Sequence, residues 1–177
     1  GGARLSPEII TDVIKHSIGG NPRSLKRLVN SVALIEIFSS TIVENSLSAG
    51  ALTIEKQSEL LFALVCVQIA YPDIYNLLVD RPNFETWDED FAYEITQGKE
   101  QEDEKFERDF DIAKKTDDFD EDWEQVVYRV CYSKPRYKAK VIDVSRVLSL
   151  IKDNIIALPA TEAEAALASV LNQTAVT

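Results

Sequence analysis

Nearly every apolar run in this chain recurs at intervals of three and four residues, the spacing that places side chains on one face of a helix. Ser6-Pro7-Glu8 has the form of an N-cap, a proline in the first turn and an acidic residue, and Ile9, Ile10, Val13, Ile14 and Ile18 follow at helical spacing. This predicts a first helix from Pro7 to Ile18. Gly19-Gly20 stops it and Asn21-Pro22 restarts the chain, and Leu25, Leu28, Val29, Val32, Leu34, Ile35 and Phe38 form the stripe of a second helix ending near Ser39. A third begins at a Thr53 cap, with Lys56 where a capping box would carry Glu, and is apolar almost all round from Leu60 to Ile69, the mark of a helix central to a core. Pro72 breaks it. Pro72 to Val79 then reads as a short helix closed by Arg81-Pro82.

Downstream, Trp87, Phe91, Tyr93, Ile95, Phe106, Phe110, Ile112, Phe119 and Trp123 are spread through a strongly acidic stretch at helix-compatible intervals. Two amphipathic helices are predicted there, 88–96 and 100–115, with loops around Gly98 and Thr116. Trp123 to Tyr132 fits helix or strand by periodicity; the acidic residues Asp120-Glu121-Asp122 before it favour helix. Ser133 to Arg136 is a loop, Val141 to Ile155 is helical by the spacing of Val144, Val147, Leu148, Ile151 and Ile155, and Leu158-Pro159 ends that helix. A last, small-residue and weakly held helix runs from Thr161 to about Leu171. The fold class is therefore all-α, an irregular multi-helix bundle. Residues 1–158 form one helical domain, with a helix pair at 7–39, central helices at 53–80, an acidic amphipathic segment at 85–124 and a basic helix-loop-helix at 125–158. Residues 159–177 form a C-terminal helix or tail.

Composition narrows the function classes. The 177 residues are 45% hydrophobic and 28% charged, ordinary for one folded domain, and 19 basic against 30 acidic residues give a net charge of −11. Between Glu85 and Glu124 eighteen acidic residues meet five basic ones, a net of −13, while twelve acidic and fourteen basic residues elsewhere total +2. A general electrostatic grip on nucleic acid or anionic membrane is disfavoured by such a balance. No apolar run approaches the roughly 20 residues that cross a bilayer, so no membrane partner is expected. Cys66 and Cys131 sit among apolar residues, as buried thiols do in a reducing compartment, which places the chain in the cytoplasm. The Gly1-Gly2 start and the lack of Met suggest a fragment of a longer protein.

The candidate chemistry is sparse. His16 is the lone histidine, so a zinc site would need both distant cysteines, and Asp118, Asp120 and Asp122 alternate as in a calcium loop but meet Trp123 where Gly is needed and Arg129 where Glu is needed. No metal, cofactor or catalytic residue is expected. Arg129, Lys134, Arg136, Lys138, Lys140, Arg146 and Lys152 stand against only Asp143 and Asp153, with Tyr132 and Tyr137 among them. Such a stretch suits a nucleic-acid platform or pairs with the acidic 85–124 segment, and pairing is favoured.

The most informative segment is Ser17 to Ser31, which contains Asn21-Pro22-Arg23, Lys26-Arg27 and Asn30. It resembles the sensor-2 region in the helical lid of AAA-type P-loop ATPases, and is most similar to the NPR-x-x-K-R-x-x-N version in KAP-type NTPases and related bacterial defence proteins. The resemblance covers about 15 residues. It implies that Arg23 senses nucleotide phosphate from a lid helix and that Lys26 or Arg27 contacts phosphate or a neighbouring subunit. A solvated amphipathic helix start would carry the same residues. No G-x-x-x-x-G-K-[ST] loop is present, so the chain is not a complete P-loop enzyme. The expectation is a non-catalytic accessory or oligomerisation domain from the C-terminal part of a larger bacterial NTPase or nuclease-associated protein, partnered by the remainder of that chain or by its own copies. A helical nucleic-acid-binding module is the alternative.

Overall fold

A computed structural model describes residues 6–31, 54–155 and 160–174, and among them every regular element is helical, with no strand. The all-α fold class is thereby established. The chain divides into two compact units, one drawn from residues up to Pro82 and from Ser149 onward, the other from Asn83 to Leu148.

In the first unit, α1 (Pro7–His16) starts on Ser6 with proline in its first turn and Glu8 facing the positive helix end. It stops two residues before the expected Ile18, because Gly19 turns left-handed at φ +57° and returns its N–H to the Ile14 carbonyl at 2.8 Å. Asn21 caps α2, described over 22–31: its Oδ1 accepts the Arg23 N–H at 3.0 Å and the Ser24 N–H at 3.2 Å. Leu28 is buried, but Val29, placed on the apolar stripe by its spacing, is 66% exposed. The expected end of this helix near Ser39 and the Thr53 cap lie outside the described residues.

Helix α3 (Ile54–Ala70) is the centre of this unit, with eight consecutive residues from Leu60 to Val67 buried. It packs against α1, against α4 (Pro72–Asp80) and against the C-terminal helix, which is why it is apolar on every side. Pro72 cannot donate to the preceding turn and starts α4 at its first position. The Tyr71 hydroxyl donates to the His16 carbonyl at 2.7 Å, tying the break to the end of α1. The C-terminal helix spans Ala160–Thr174 and is firmly docked, contrary to the weak attachment expected from its small residues. Leu167, Val170 and Leu171 are buried, and the Tyr75 and Thr174 hydroxyls hydrogen-bond at 2.7 Å.

The second unit begins with a 3-10 turn at Phe84–Thr86 and α5 (Glu89–Thr96), capped by Asp88, whose Oδ1 accepts the Phe91 N–H at 2.9 Å. The second acidic helix is not the predicted 100–115. Gln97 and Gly98 are both left-handed, Lys99–Glu102 makes a 3-10 turn, the Asp103 carboxylate accepts the Lys105 N–H at 2.9 Å, and only then does α6 (Phe106–Ala113) start. Helix α7 (Asp122–Tyr132) opens on a reciprocal capping box between Glu121 and Glu124, which settles the helix-or-strand choice. After a 3-10 turn at Lys138–Lys140, α8 (Val141–Ile155) starts in this unit and continues past Leu148 into the other. With α8 introduced, the C-terminal helix is α9.

Aromatic residues build the core of the second unit. Trp123 meets Phe84 edge to face at 5.1 Å between ring centres, and Trp87 lies 6.0 Å from Phe84 and 5.4 Å from Phe91. A second cluster stacks Phe110 on Tyr128 at 5.3 Å and brings Phe106, Phe119 and Tyr132 around them. Each such ring removes roughly 150–250 Å² from water, so the acidic segment folds despite its charge. Two of the nine interleaved residues depart from that pattern: Tyr93 is 59% and Ile112 60% exposed.

Candidate functional site

The basic residues singled out in the sequence fall in two places. Arg23, Lys26 and Arg27 lie on the first turns of α2, on one side of the helix by their i, i+3, i+4 spacing, and all three are exposed. With the first-turn N–H groups taken up by Asn21, the three cations and the positive end of the helix favour an anion or an acidic surface.

The second group, on α7, the following loop and α8, turns toward the acidic segment. Arg129 is buried, and its Nη2 and Nε both donate to Glu100 Oε1, at 2.7 and 2.9 Å. Glu89 Oε1 lies 3.6 Å from Nη1 of the same guanidinium. The Glu100 side chain is 0% exposed, and its Oε2 has no hydrogen-bond partner among the described residues. Lys138 reaches Asp103 at 2.8 Å and lies 4.3 Å over the Tyr132 ring, while the Tyr132 hydroxyl donates to Asp109 at 3.1 Å. The Lys138 ammonium and the Lys105 N–H hold the Asp103 carboxyl below its ordinary range, and the Asp103 carboxylate raises Lys138 in turn. Arg146 Nε meets Asp118 at 3.2 Å, beside a Ser145 hydroxyl that donates to the Asp118 carbonyl at 2.9 Å. Three cations of the stretch are therefore committed to acids of the 85–124 segment, as pairing requires. Of the other candidates, Lys134 is half-buried, Arg136 lies 5.3 Å from the Tyr137 ring centre, and Lys140 is exposed. Tyr137 is itself buried, and Tyr132 packs against Phe106 under Lys138, so neither ring offers an open stacking platform.

Sequence reasoning missed the buried acids. Glu100 carries no local signal, being one carboxylate in a long acidic run. Glu124 has a faint one, its position three residues after the Glu121 cap. Its Oε1 accepts the Glu121 N–H at 3.0 Å and its Oε2 lies 3.5 Å from the Ser145 hydroxyl. Burial, followed by the Asp120 and Glu121 carboxyls, pushes Glu124 up to about 7 against the favourable Glu121 N–H.

No group of three or more His, Cys, Asp or Glu among the described residues is placed to hold a metal ion, and no described helix is long and apolar enough to cross a membrane. Both thiols are buried. Desolvation pushes Cys66 and Cys131 up to about 12, which leaves almost no thiolate at neutral pH. A thiol-specific reagent is thus expected to leave both unmodified in the folded protein and to modify both in denaturant; rapid native labelling of either would contradict the packing around it.

Comparison with protein-family models, with curated proteins and with solved structures gives no match.

Proposed function

We propose that the chain is a non-catalytic accessory and oligomerisation domain, from the C-terminal part of a larger bacterial NTPase or nuclease-associated protein that acts in the cytoplasm, with phage defence as its setting. The observation that carries this reading is the Asn21-capped start of α2, where Arg23, Lys26 and Arg27 are exposed in the order that resembles a sensor-2 helix. An exposed guanidinium at a helix start, with two further cations beside it, is suited to a phosphate or a carboxylate presented by another chain or domain. The internal commitment of Arg129, Lys138 and Arg146 supports the same reading, because it leaves α2 as a basic face without spending it on the fold.

In the parent protein, Arg23→Ala is expected to lower nucleotide turnover roughly tenfold or more, the loss of one charge-assisted contact, with the helical circular dichroism unchanged. Unaltered turnover would overturn the lid assignment. The chain by itself is expected to hydrolyse neither ATP nor GTP, and turnover above a mock preparation that disappears with Arg23→Ala would show it to be an enzyme. The rival reading, a nucleic-acid-binding module using Lys26 and Arg27 with Lys134, Arg136 and Lys140, predicts DNA affinity that falls steeply with salt.

A further inference from the structure

We infer that copies of this chain associate head to tail, the solvent face of α5 in one copy seating against the solvent face of α2 in the next. The inference rests on the oligomerisation reading and names the two surfaces that would carry it. On α5, Asp90, Tyr93 and Glu94 occupy positions i, i+3 and i+4 and are all exposed. Tyr93 is the anomaly. Its neighbours Phe91 and Ala92 are buried in the unit's own core, yet its ring stays 59% exposed between two acids. On α2, Arg23, Lys26 and Arg27 repeat the same i, i+3, i+4 spacing with opposite charge, and Val29, three residues beyond Lys26, is 66% exposed.

The two faces are complementary in charge and in chemistry. A guanidinium over a tyrosine ring gains a cation–π contact, which carboxylates on either side reinforce, and an exposed valine covers the ring edge. The occupant is a second copy, since the chain carries both faces and three cations that could compete for the acids, Arg129, Lys138 and Arg146, are paired within their own unit. A polyanion is a poor occupant of α2 in a molecule whose net charge is −11. Two different patches make a heterologous contact, which builds a ring or a run of copies and so grows with concentration.

The experiment is sedimentation of the whole chain at low and high salt, with two charge-reversed variants, Lys26→Glu/Arg27→Glu and Asp90→Lys/Glu94→Lys, and with Tyr93→Ala. Wild type is expected to show a mass that rises with concentration, weakened roughly tenfold or more between about 0.05 and 0.5 M salt as the Debye length shrinks. Each charge-reversed variant is expected to sediment as a monomer, and an equimolar mixture of the two to associate again, because every junction in the mixture joins opposite charges. Tyr93→Ala, which leaves the charges intact, should weaken association. Folding of each variant is read from its circular dichroism, and should the α5 reversal fail to fold, the α2 reversal and Tyr93→Ala carry the test. A wild type that stays monomeric at low salt overturns this inference and the oligomerisation reading together. Association that survives both reversals, or that the mixture does not restore, overturns the inference alone.

Discussion

Arg129→Ala is expected to destabilise the second unit by about 3–5 kcal/mol, the usual cost of removing one partner of a buried ion pair. The guanidinium supplies both hydrogen bonds that Glu100 Oε1 receives, and Glu100 Oε2 has none among the described residues, so the truncation leaves a fully buried carboxylate without a donor. Glu100→Ala should cost a similar amount from the opposite side, whereas Arg129→Met with Glu100→Leu should cost much less, since two apolar groups of similar volume need no partners. Both tryptophans, Trp87 and Trp123, lie in this unit, and their fluorescence in a urea titration reports its unfolding directly. A double variant as unstable as either single one would mean that the site needs its charges for more than mutual compensation.

The second large effect is a pH dependence centred on Glu124. The folded protein holds this carboxyl up at about 7 against an ordinary value of 4.5, mainly because it is buried. Between those values the native state binds a proton that the unfolded chain has released, and stability therefore declines as pH rises. The contribution is complete below about 4.5, falls through the window and is gone above about 7, a span worth about 3 kcal/mol that solvent screening reduces to an expected loss of about 2 kcal/mol. Glu124→Gln keeps the reach back to the Glu121 N–H and cannot ionise, so it should abolish this slope and be the more stable protein at pH 8. Asp103, lowered by Lys138, acts in the opposite sense as acid is added, and the wild-type-minus-variant difference removes its share. Urea midpoints at pH 5 and pH 8 that move equally in both proteins would refute the assignment.

Where a structural choice was local, the residues announced it. Ser6-Pro7, Asn21-Pro22 and Tyr71-Pro72 place helix starts because proline fixes the backbone at the spot where it stands, and Asn21 adds a side-chain cap. The all-round apolar stretch of α3 foretold a helix surrounded by others. Opposite charges in the acidic and basic segments indicated that they meet, but not which residues do so. Glu100 is drawn inside by an arginine 29 positions later, and that choice breaks the predicted 100–115 helix into a turn and a shorter helix. Periodicity cannot separate one buried carboxylate from its neighbours in a run of acids. The hold on α9 combines buried Leu167, Val170 and Leu171 with a hydroxyl pair 99 positions apart, and the small residues around them give no sign of it. Tyr93 and Val29 carried apolar signals that the fold leaves exposed.

The division of the chain has a consequence for its synthesis. The first unit is discontinuous: its central helix α3 ends at Ala70, whereas α9, which covers part of it, starts at Ala160. A ribosome adding roughly 5–20 residues per second takes about 5–20 s to make the intervening stretch. During that time the intervening unit can already fold, while the apolar side of α3 awaiting α9 stands open to solvent or to chaperones. Slowed elongation between these two helices should therefore raise the fraction of nascent chain captured by a holdase, and circularly permuted versions that begin with α9 should shorten the exposure.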